Sequence, residues 1–272
     1  MAHRPDIFGL SPRRLKGPGS ENRLPAPHRP PPDAQSMALH RIWMPDADPD
    51  APTLEVRGEE ARHALRVKRL GPGDAVLVLT GRGHVVRAAV ERGGKARGEW
   101  SLALRVEGVE IAAPPAPRVE LWTAPPKGPR LEQLIDQASQ AGAASWAPLV
   151  SERTVVEPRE ARLERLARVA AESAKQSGRA WVLSIEVGGS LDDALDAPSG
   201  VSVVVADASG EPCTPSTAPA VRLLVGPEGG WTESEMARAR ASGARVARFG
   251  PHAMRVETAA VVAVGLVMHR GA

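Results

Sequence analysis

The sequence predicts an α/β protein in two parts, a small β domain followed by a larger domain built on a parallel sheet. Between residues 54 and 111, short apolar runs alternate with glycine-rich turns, which is typical of neighbouring strands joined by tight connections. From residue 118 onward, apolar strands alternate with helical segments, a pattern typical of a parallel sheet covered by helices on both faces. The composition, 42% hydrophobic and 25% charged, is that of an ordinary globular protein.

The first segments of the chain are separated by their composition. Residues 1–36 hold eight prolines and show no apolar periodicity, which predicts a disordered leader without the apolar core of a secretory signal. We interpret Met37 as the native start, or the leader as a dispensable tail. The β domain is placed at residues 37–112, with strands at 75–79, 84–90 and 102–106. Residues 112–117 hold three prolines and form a short, stiff linker.

The second domain is placed at residues 118–272. Apolar runs predict strands at 119–123, 145–149, 201–206, 221–225 and 245–249. Helical spacing predicts helices at 130–141, 159–177, 232–241 and 258–268. Thr232-Glu-Ser-Glu235 has the form of a capping box, which fixes the start of the third helix.

Charge and cysteine content narrow the classes of function. The formal net charge is only +3, but residues 57–97 carry ten basic and four acidic residues, a surplus suited to a phosphate backbone. The single cysteine, Cys213, excludes an internal disulfide and a Cys-rich metal site. The longest apolar run, residues 259–268, is about half of what a membrane span needs. We therefore expect a cytoplasmic protein that meets nucleic acid and needs neither metal nor membrane.

Two glycine-rich turns follow apolar strands late in the chain. They are Gly226-Pro-Glu-Gly-Gly230 and Gly250-Pro-His252, and two such loops side by side make a pocket in which a ligand approaches the backbone closely. A Rossmann enzyme carries its glycine loop after its first strand, so the late position disfavours that fold. Zinc and phosphate-loop enzymes are also disfavoured, because the chain has no Cys pair, no His-Glu-x-x-His and no Gly-Lys-Ser/Thr.

A series of motifs, in order along residues 37–272, resembles the bacterial 16S ribosomal RNA uridine-N3 methyltransferases of the SPOUT class. The C-terminal pair is Gly226-Pro-Glu-Gly-Gly230 with Gly250-Pro-His-Ala-Met-Arg-Val-Glu-Thr-Ala259. Five further motifs lie at residues 40–43, 63–74, 131–142, 148–153 and 176–179. The resemblance implies a trefoil-knotted, SPOUT-type methyltransferase domain after a PUA-like barrel that grips RNA. The knot is implied by the resemblance alone, since no periodicity encodes it.

The same resemblance implies S-adenosylmethionine as cofactor, 16S ribosomal RNA in the small ribosomal subunit as substrate, and a homodimer with the site near its interface. The adenosyl group is expected between the two glycine loops. The residues that we assign to cofactor binding are Leu224, Gly226, Glu228, Gly229, Gly230, Gly250 and Met254.

Methylation of a uracil N3 requires removal of the imide proton and stabilisation of the charge that develops on the uracil oxygens. We predict Arg255 as the donor to those oxygens, because its planar guanidinium holds a carbonyl or phosphate oxygen. Glu257 and Glu228 are the candidate bases. A structural role stays open for both: Glu257 at a helix start complements the helix dipole, and Glu228 holds its own loop.

The candidate RNA-binding residues are basic. They are His63, Arg66, Lys68, Arg69, Arg153 and Arg179. The chain departs from the family at Gln137, Gln140, Lys175 and His252, of which Lys175 reverses the charge of a usual glutamate and His252 replaces a usual arginine. These departures leave open an alternative, a catalytically degenerate RNA-binding or ribosome-assembly protein on the same fold. A methyltransferase acting on transfer RNA is a third, weaker reading.

Overall fold

The structure is a computed structural model that describes residues 39–155, 160–214 and 216–269, the side chains of residues 160 and 161 excepted. The predicted leader and the predicted first residue of the helix at 159 lie outside the described residues. Within the described part of the chain, every helix is too short or too polar to cross a membrane.

The first sheet has five strands in the order β1-β3-β4-β5-β2. Its elements are β1 (His40–Trp43), β2 (Thr53–Arg57), β3 (Ala75–Leu79), β4 (His84–Ala96) and β5 (Glu99–Ile111), with the short helix α1 (Gly58–Arg62) between β2 and β3. All pairs are antiparallel except β1 with β3. Apolar side chains alternate along β2 and are continuous along β3, and they close a core around Ile42, Val78 and Leu102.

A π-helical turn, His63–Val67, continues α1 without a break. Its polar residues face outward while Ala61 and Ala64 pack into the core of the first sheet. Arg69 follows the turn, and its φ of 57° is a left-handed conformation that costs free energy in a residue other than glycine. Four residues of the predicted basic segment 57–97, His63, Arg66, Lys68 and Arg69, therefore stand exposed on or just after this turn.

The second sheet is parallel throughout, with the order β12-β10-β11-β6-β7-β8 and the two-residue strand β9 beside β7. Its strands are β6 (Arg118–Thr123), β7 (Ser145–Val150), β8 (Ser184–Ile185), β9 (Gly189–Ser190), β10 (Val201–Pro212), β11 (Ala220–Val225) and β12 (Arg245–Arg248). The helices are α2 (Arg130–Ala141), α3 (Glu160–Ser177), α4 (Leu191–Leu195), α5 (Glu233–Ala241) and α6 (Val256–Met268). The predicted α/β class with a parallel sheet is confirmed.

The helices cover the two faces of this sheet because each presents an apolar side. A large core gathers residues of α2, α3 and α6 against the strands, with Trp146 fully buried and its Nε1 donating to Thr123 Oγ1 at 2.9 Å. A smaller core lies on the other face, where α4 and α5 pack on Leu149, Val205 and Leu224. Both faces of the sheet are therefore covered, and the ends of its strands stay accessible to a ligand.

The two sheets are joined by direct contacts. The β3–β4 turn meets the segment after α3, where Gly83 N donates to Ala180 O at 2.9 Å and Val182 N donates to Gly81 O at 3.0 Å. The Trp181 ring lies against Gly83, so closely that an added Cβ would stand 2.6 Å from it. Trp181 Nε1 also donates to Ala112 O at 2.9 Å. Glycine at position 83, with φ of +92°, is what permits this approach.

Candidate functional site

A cleft of about 340 Å³ opens at the carboxyl ends of β10, β11 and β12. Four segments surround it. They are the glycine loop after β11, the second glycine turn after β12, residues 206–208 within β10, and the start of α6. The β10–β12 register shifts between Ala206 and Glu211, which makes room at this edge. A crevice at the carboxyl edge of a parallel sheet is the usual place for a ligand in such folds.

The glycine loop after β11 is shaped by Trp231. Its ring packs on Gly226, where an added Cβ would lie 2.8 Å from Cε2, and its Nε1 donates to Ala206 O at 3.1 Å. Gly230 N closes the turn on Pro227 O at 2.9 Å, with Gly230 at φ +69°. The glycines are thus needed both for the turn and for the close packing of its own tryptophan.

The helix α5 anchors the far end of this loop. Thr232 and Glu235 form the predicted capping box, which is confirmed. Glu235 is 1% exposed, and its carboxylate accepts from Thr232 N at 2.8 Å and from Glu152 N at 2.9 Å. One buried carboxylate therefore connects the loop that follows β7 to the end of the glycine loop that lines the cleft.

The structure brings most of the proposed cofactor residues to the cleft. Gly226, Glu228, Gly230, Gly250 and Met254 line it. Leu224 does not; it is fully buried in β11 beneath the loop.

Gly229 also lies outside the lining. Its carbonyl accepts from Arg153 Nη1 at 2.5 Å, and a Cβ at this position would meet Arg153 Cδ at 3.2 Å. The side-chain direction of Gly229 is therefore occupied by Arg153, which places this arginine against the cofactor loop.

Of the proposed catalytic residues, Glu228 lines the cleft, whereas Arg255 and Glu257 stand next to lining residues at the start of α6. Arg255 is exposed and is the N-cap residue of α6, between Met254 and Val256, which both line the cleft. Glu257, in the first turn of α6, has only 9% of its side chain exposed, and its Oε2 has no hydrogen-bond partner among the described residues. A buried carboxylate oxygen without a donor is costly and marks a position for a ligand or a proton.

Arg130 is a site residue that the sequence analysis missed. Its Nη1 lies 3.7 Å from Glu257 Oε1 and 3.7 Å from Glu228 Oε1, so one guanidinium joins both candidate bases. A cation at the start of a helix opposes the helix dipole, and these two carboxylates offset that cost. Only the order of the strands could have indicated it. Because β6 and β11 are neighbours, the helix that follows β6 begins beside the glycine loop that follows β11.

Four of the candidate RNA-binding residues stand together on the first sheet. His63, Arg66, Lys68 and Arg69 are all exposed on or just after the π-helical turn. The Arg66 guanidinium lies 6.0 Å from the centroid of the Trp100 ring, with Lys95 Nζ at 5.9 Å from the same ring. The cluster thus joins cations and an aromatic ring, a combination that binds phosphate and base.

Arg179 is placed differently. Its guanidinium donates to the carbonyls of Ser139 and Ala143 at the end of α2, the second at 3.0 Å. Burial lowers the pKa of Arg179 to about 10, so the group stays charged at neutral pH. Its donors complete the last turn of α2, where carbonyls lack partners within the helix. This placement favours a structural role over contact with RNA.

The lining of the cleft suits a small organic ligand. Among the described residues, no three His, Cys, Asp or Glu side chains gather as a metal-binding group. Apolar walls from Phe249, Met254 and Ala259 suit an aromatic base, and the glycine turns leave backbone groups free to bind it. His252 lines the cleft at the position where the family usually carries arginine.

Comparison with known proteins agrees with this geometry. Residues 114–268 match the family model of the RNA methyltransferase domain, and residues 56–97 match that of the RNA methyltransferase PUA domain. The ribosomal RNA small subunit methyltransferase E of Synechocystis sp. is 31% identical over 241 residues, which are 85% of this chain and 77% of that protein.

Solved structures show the same fold. A probable rRNA-methyltransferase from Porphyromonas gingivalis is 28% identical with a TM-score of 0.73, covering 83% of this chain and 95% of its own. A methyltransferase from Legionella pneumophila, solved with bound S-adenosylmethionine, has a TM-score of 0.73 at 24% identity, covering 85% of this chain and 97% of its own. The SPOUT-type fold with an N-terminal PUA domain, expected from the resemblance, is confirmed. With a family model matched across the parallel-sheet domain and a relative at this level of identity, the chain belongs to the RNA methyltransferase family that includes the ribosomal RNA small subunit methyltransferases E.

Proposed function

We propose that this protein uses S-adenosylmethionine to methylate N3 of a uridine in the 16S RNA of the small ribosomal subunit. The observation that carries the proposal is the glycine-lined cleft beside a buried carboxylate whose Oε2 lacks a partner among the described residues. Its relative in Synechocystis sp. is named as a methyltransferase of small-subunit ribosomal RNA, and the basic turn on the first sheet supplies a surface for RNA.

S-adenosylmethionine fits the residues that line the cleft. The turns 226–230 and 250–254 offer backbone groups to the adenosyl moiety, and the apolar side chains of Phe249 and Ala259 offer a surface for its ring. When bound there, the cofactor supplies an electrophilic methyl group. The chain's contribution is to hold the target uracil against that methyl group, which is mainly an effect of positioning.

The proton on N3 must leave for the nitrogen to act as nucleophile. We assign its removal to Glu257 or Glu228, which share the Arg130 cation at 3.7 Å each. Glu228 lines the cleft and is half exposed, whereas Glu257 is buried and is not part of the lining. Arg255, at the mouth, donates to the uracil oxygen on which negative charge develops.

The resemblance also implies a homodimer and a cytoplasmic location, which we include in the proposal. The site residues of α6 lie near the face expected to meet the partner. Light scattering coupled to size exclusion tests the dimer directly. A monomer at micromolar concentration would contradict this part of the proposal.

The reaction is tested with isotopically labelled S-adenosylmethionine and small ribosomal subunits from cells that lack this gene. Labelled N3-methyluridine, identified by nucleoside mass spectrometry, is the expected product. Small subunits from cells that retain the gene serve as the control and should accept little label. Subunits that bind the protein but gain no label would instead support the non-catalytic alternative. Label in transfer RNA, offered in a parallel reaction, would support a methyltransferase acting on transfer RNA.

A further inference from the structure

One ion pair between the two sheets involves a residue at which this chain departs from its family. Lys175, in the last turn of α3, lies 2.6 Å through its Nζ from Glu60 Oε1. Its side chain is 14% exposed and that of Glu60 25% exposed, so the pair is shielded from solvent far more than the surface pairs of this chain. The family's usual glutamate at position 175 would place two carboxylates against each other here.

Glu60 connects three segments of the chain. Its Oε1 accepts from Lys175, its Oε2 accepts from Trp43 N at 3.3 Å, and its helix α1 runs directly into the π-helical turn His63–Val67. The candidate RNA-binding turn is therefore attached through one carboxylate to both β1 and the end of α3.

The same helix end is held by a second side chain of the first sheet. Arg41 Nη1 donates to Lys175 O at 3.2 Å and to Gln176 O at 3.1 Å, which satisfies carbonyls left open at the C-terminus of α3. Burial acts to lower the pKa of Lys175, but the hydrogen bonds that it donates to Glu60 and Glu172 raise it overall, so the amine stays charged. The end of α3 is thus held to the first sheet by a charged side chain and by its own backbone carbonyls.

We propose that the Lys175–Glu60 pair is a positioning contact that holds the RNA-binding turn in a fixed place relative to the methyl-transfer cleft. This rests on the proposed function, because an RNA that meets both parts of the chain is bound at two linked sites. Two linked sites bind one ligand tightly only when the connection between them lets both sites contact the ligand at the same time. Among the contacts between the two sheets that the structure describes, the Lys175–Glu60 pair is the one that reaches the helix leading into the RNA-binding turn, and the reversed charge of Lys175 is matched by Glu60.

The test compares Lys175→Glu, Lys175→Met and Lys175→Arg with wild type, measuring affinity for small ribosomal subunits, affinity for S-adenosylmethionine and methyl transfer. We expect Lys175→Glu and Lys175→Met to bind subunits about tenfold more weakly, with cofactor affinity unchanged in the folded protein. Lys175→Arg should restore subunit binding, since it keeps the charge. The double change Glu60→Lys with Lys175→Glu should recover most of the loss.

An ion pair inside the parallel-sheet domain provides the control. Arg165 and Glu132 join α3 to α2 at 3.0 Å without touching the first sheet, so Arg165→Met should leave subunit affinity within about twofold of wild type. Unchanged subunit affinity in Lys175→Glu would overturn the proposal, as would a parallel loss of cofactor affinity or a double variant no better than the single ones. Failure of the proposed function is separate: a wild type that binds subunits and cofactor but transfers no methyl group.

Discussion

At the scale of single residues, Gly226 leaves too little room for a side chain. An added Cβ would lie 2.8 Å from the Trp231 ring, which itself lines the cleft, so the ring must move. We expect Gly226→Ala to weaken S-adenosylmethionine binding at least about tenfold, because a displaced indole enters the space of the ligand. Isothermal titration calorimetry measures this.

Gly108→Ala is the matched control for that variant. Nothing lies within 4 Å of a Cβ at Gly108, and this residue belongs to β5 of the first sheet. Its cofactor affinity should equal that of wild type. Equal affinity in folded Gly226→Ala would show that the Trp231 ring moves away from the cleft rather than into it.

Arg255 is the second prediction at this scale. It is exposed at the N-cap of α6, between two residues that line the cleft. We propose it as the donor to a substrate oxygen. Arg255→Ala should lower kcat about 10²- to 10³-fold, the usual effect of losing one such donor, with cofactor affinity unchanged. Arg240→Ala, an exposed change on α5, should retain full activity. Full turnover in Arg255→Ala would remove this residue from the mechanism.

The sequence identified the two glycine turns because they are local, but it missed Arg130. Its partners Glu228 and Glu257 lie about a hundred residues or more further along the chain, so no local pattern contains these contacts. Arg179 is a different case: its place in a family motif predicts a phosphate ligand, whereas its donors reach the end of α2 in the structure, and its role in RNA binding stays a prediction. Residue type alone does not tell which way a guanidinium points.

At the scale of elements, periodicity located the long helices well. The structure places α2, α5 and α6 at Arg130–Ala141, Glu233–Ala241 and Val256–Met268, each within two residues of the predicted ends. The strand β4 was predicted to end at residue 90 but continues to Ala96, because its last residues are exposed on both faces and carry no apolar alternation. Elements of two to five residues, such as β9 and α4, hold too few periods to be detected.

The start of α5 gives a prediction at the element scale. Glu235 is buried and accepts from two backbone N–H groups, one in its own helix and one at Glu152. Glu235→Ala leaves both donors without this acceptor and should lower the free energy of unfolding by about 1–3 kcal/mol. Denaturant unfolding without cofactor measures the loss.

Glu233→Ala is the matched control for Glu235→Ala. Glu233 stands in the same first turn of α5 but is exposed, so its removal costs only its interaction with the helix dipole, about 0.3–1 kcal/mol. Two variants of equal stability would mean that water replaces the Glu235 carboxylate, and the link to the loop after β7 would then be dispensable.

At the scale of the whole molecule, the junction of the two sheets holds a histidine that avoids charge. His40 stacks on His63 with ring centroids 5.5 Å apart, and its Nε2 is buried without a hydrogen-bond partner among the described residues. Burial, followed by the charges of His63, Lys68 and Lys175, lowers the pKa of His40 from 6.5 to about 4. The folded protein therefore keeps this ring neutral at a place that is buried and faces two lysines, Lys68 and Lys175.

This predicts a pH dependence whose sign follows from proton binding. Between pH 6.5 and about 4 the unfolded chain protonates His40 while the folded protein does not, so the free energy of unfolding falls as the pH falls through this window. His40→Leu removes the titrating group and should lose less stability than wild type over the same range. Carboxylates titrate in both proteins, so the difference between their unfolding curves at pH 7, 6, 5 and 4.5 isolates His40. Parallel curves would show that the junction opens to solvent and admits the charge, and the two sheets would then be joined more loosely than their contacts indicate.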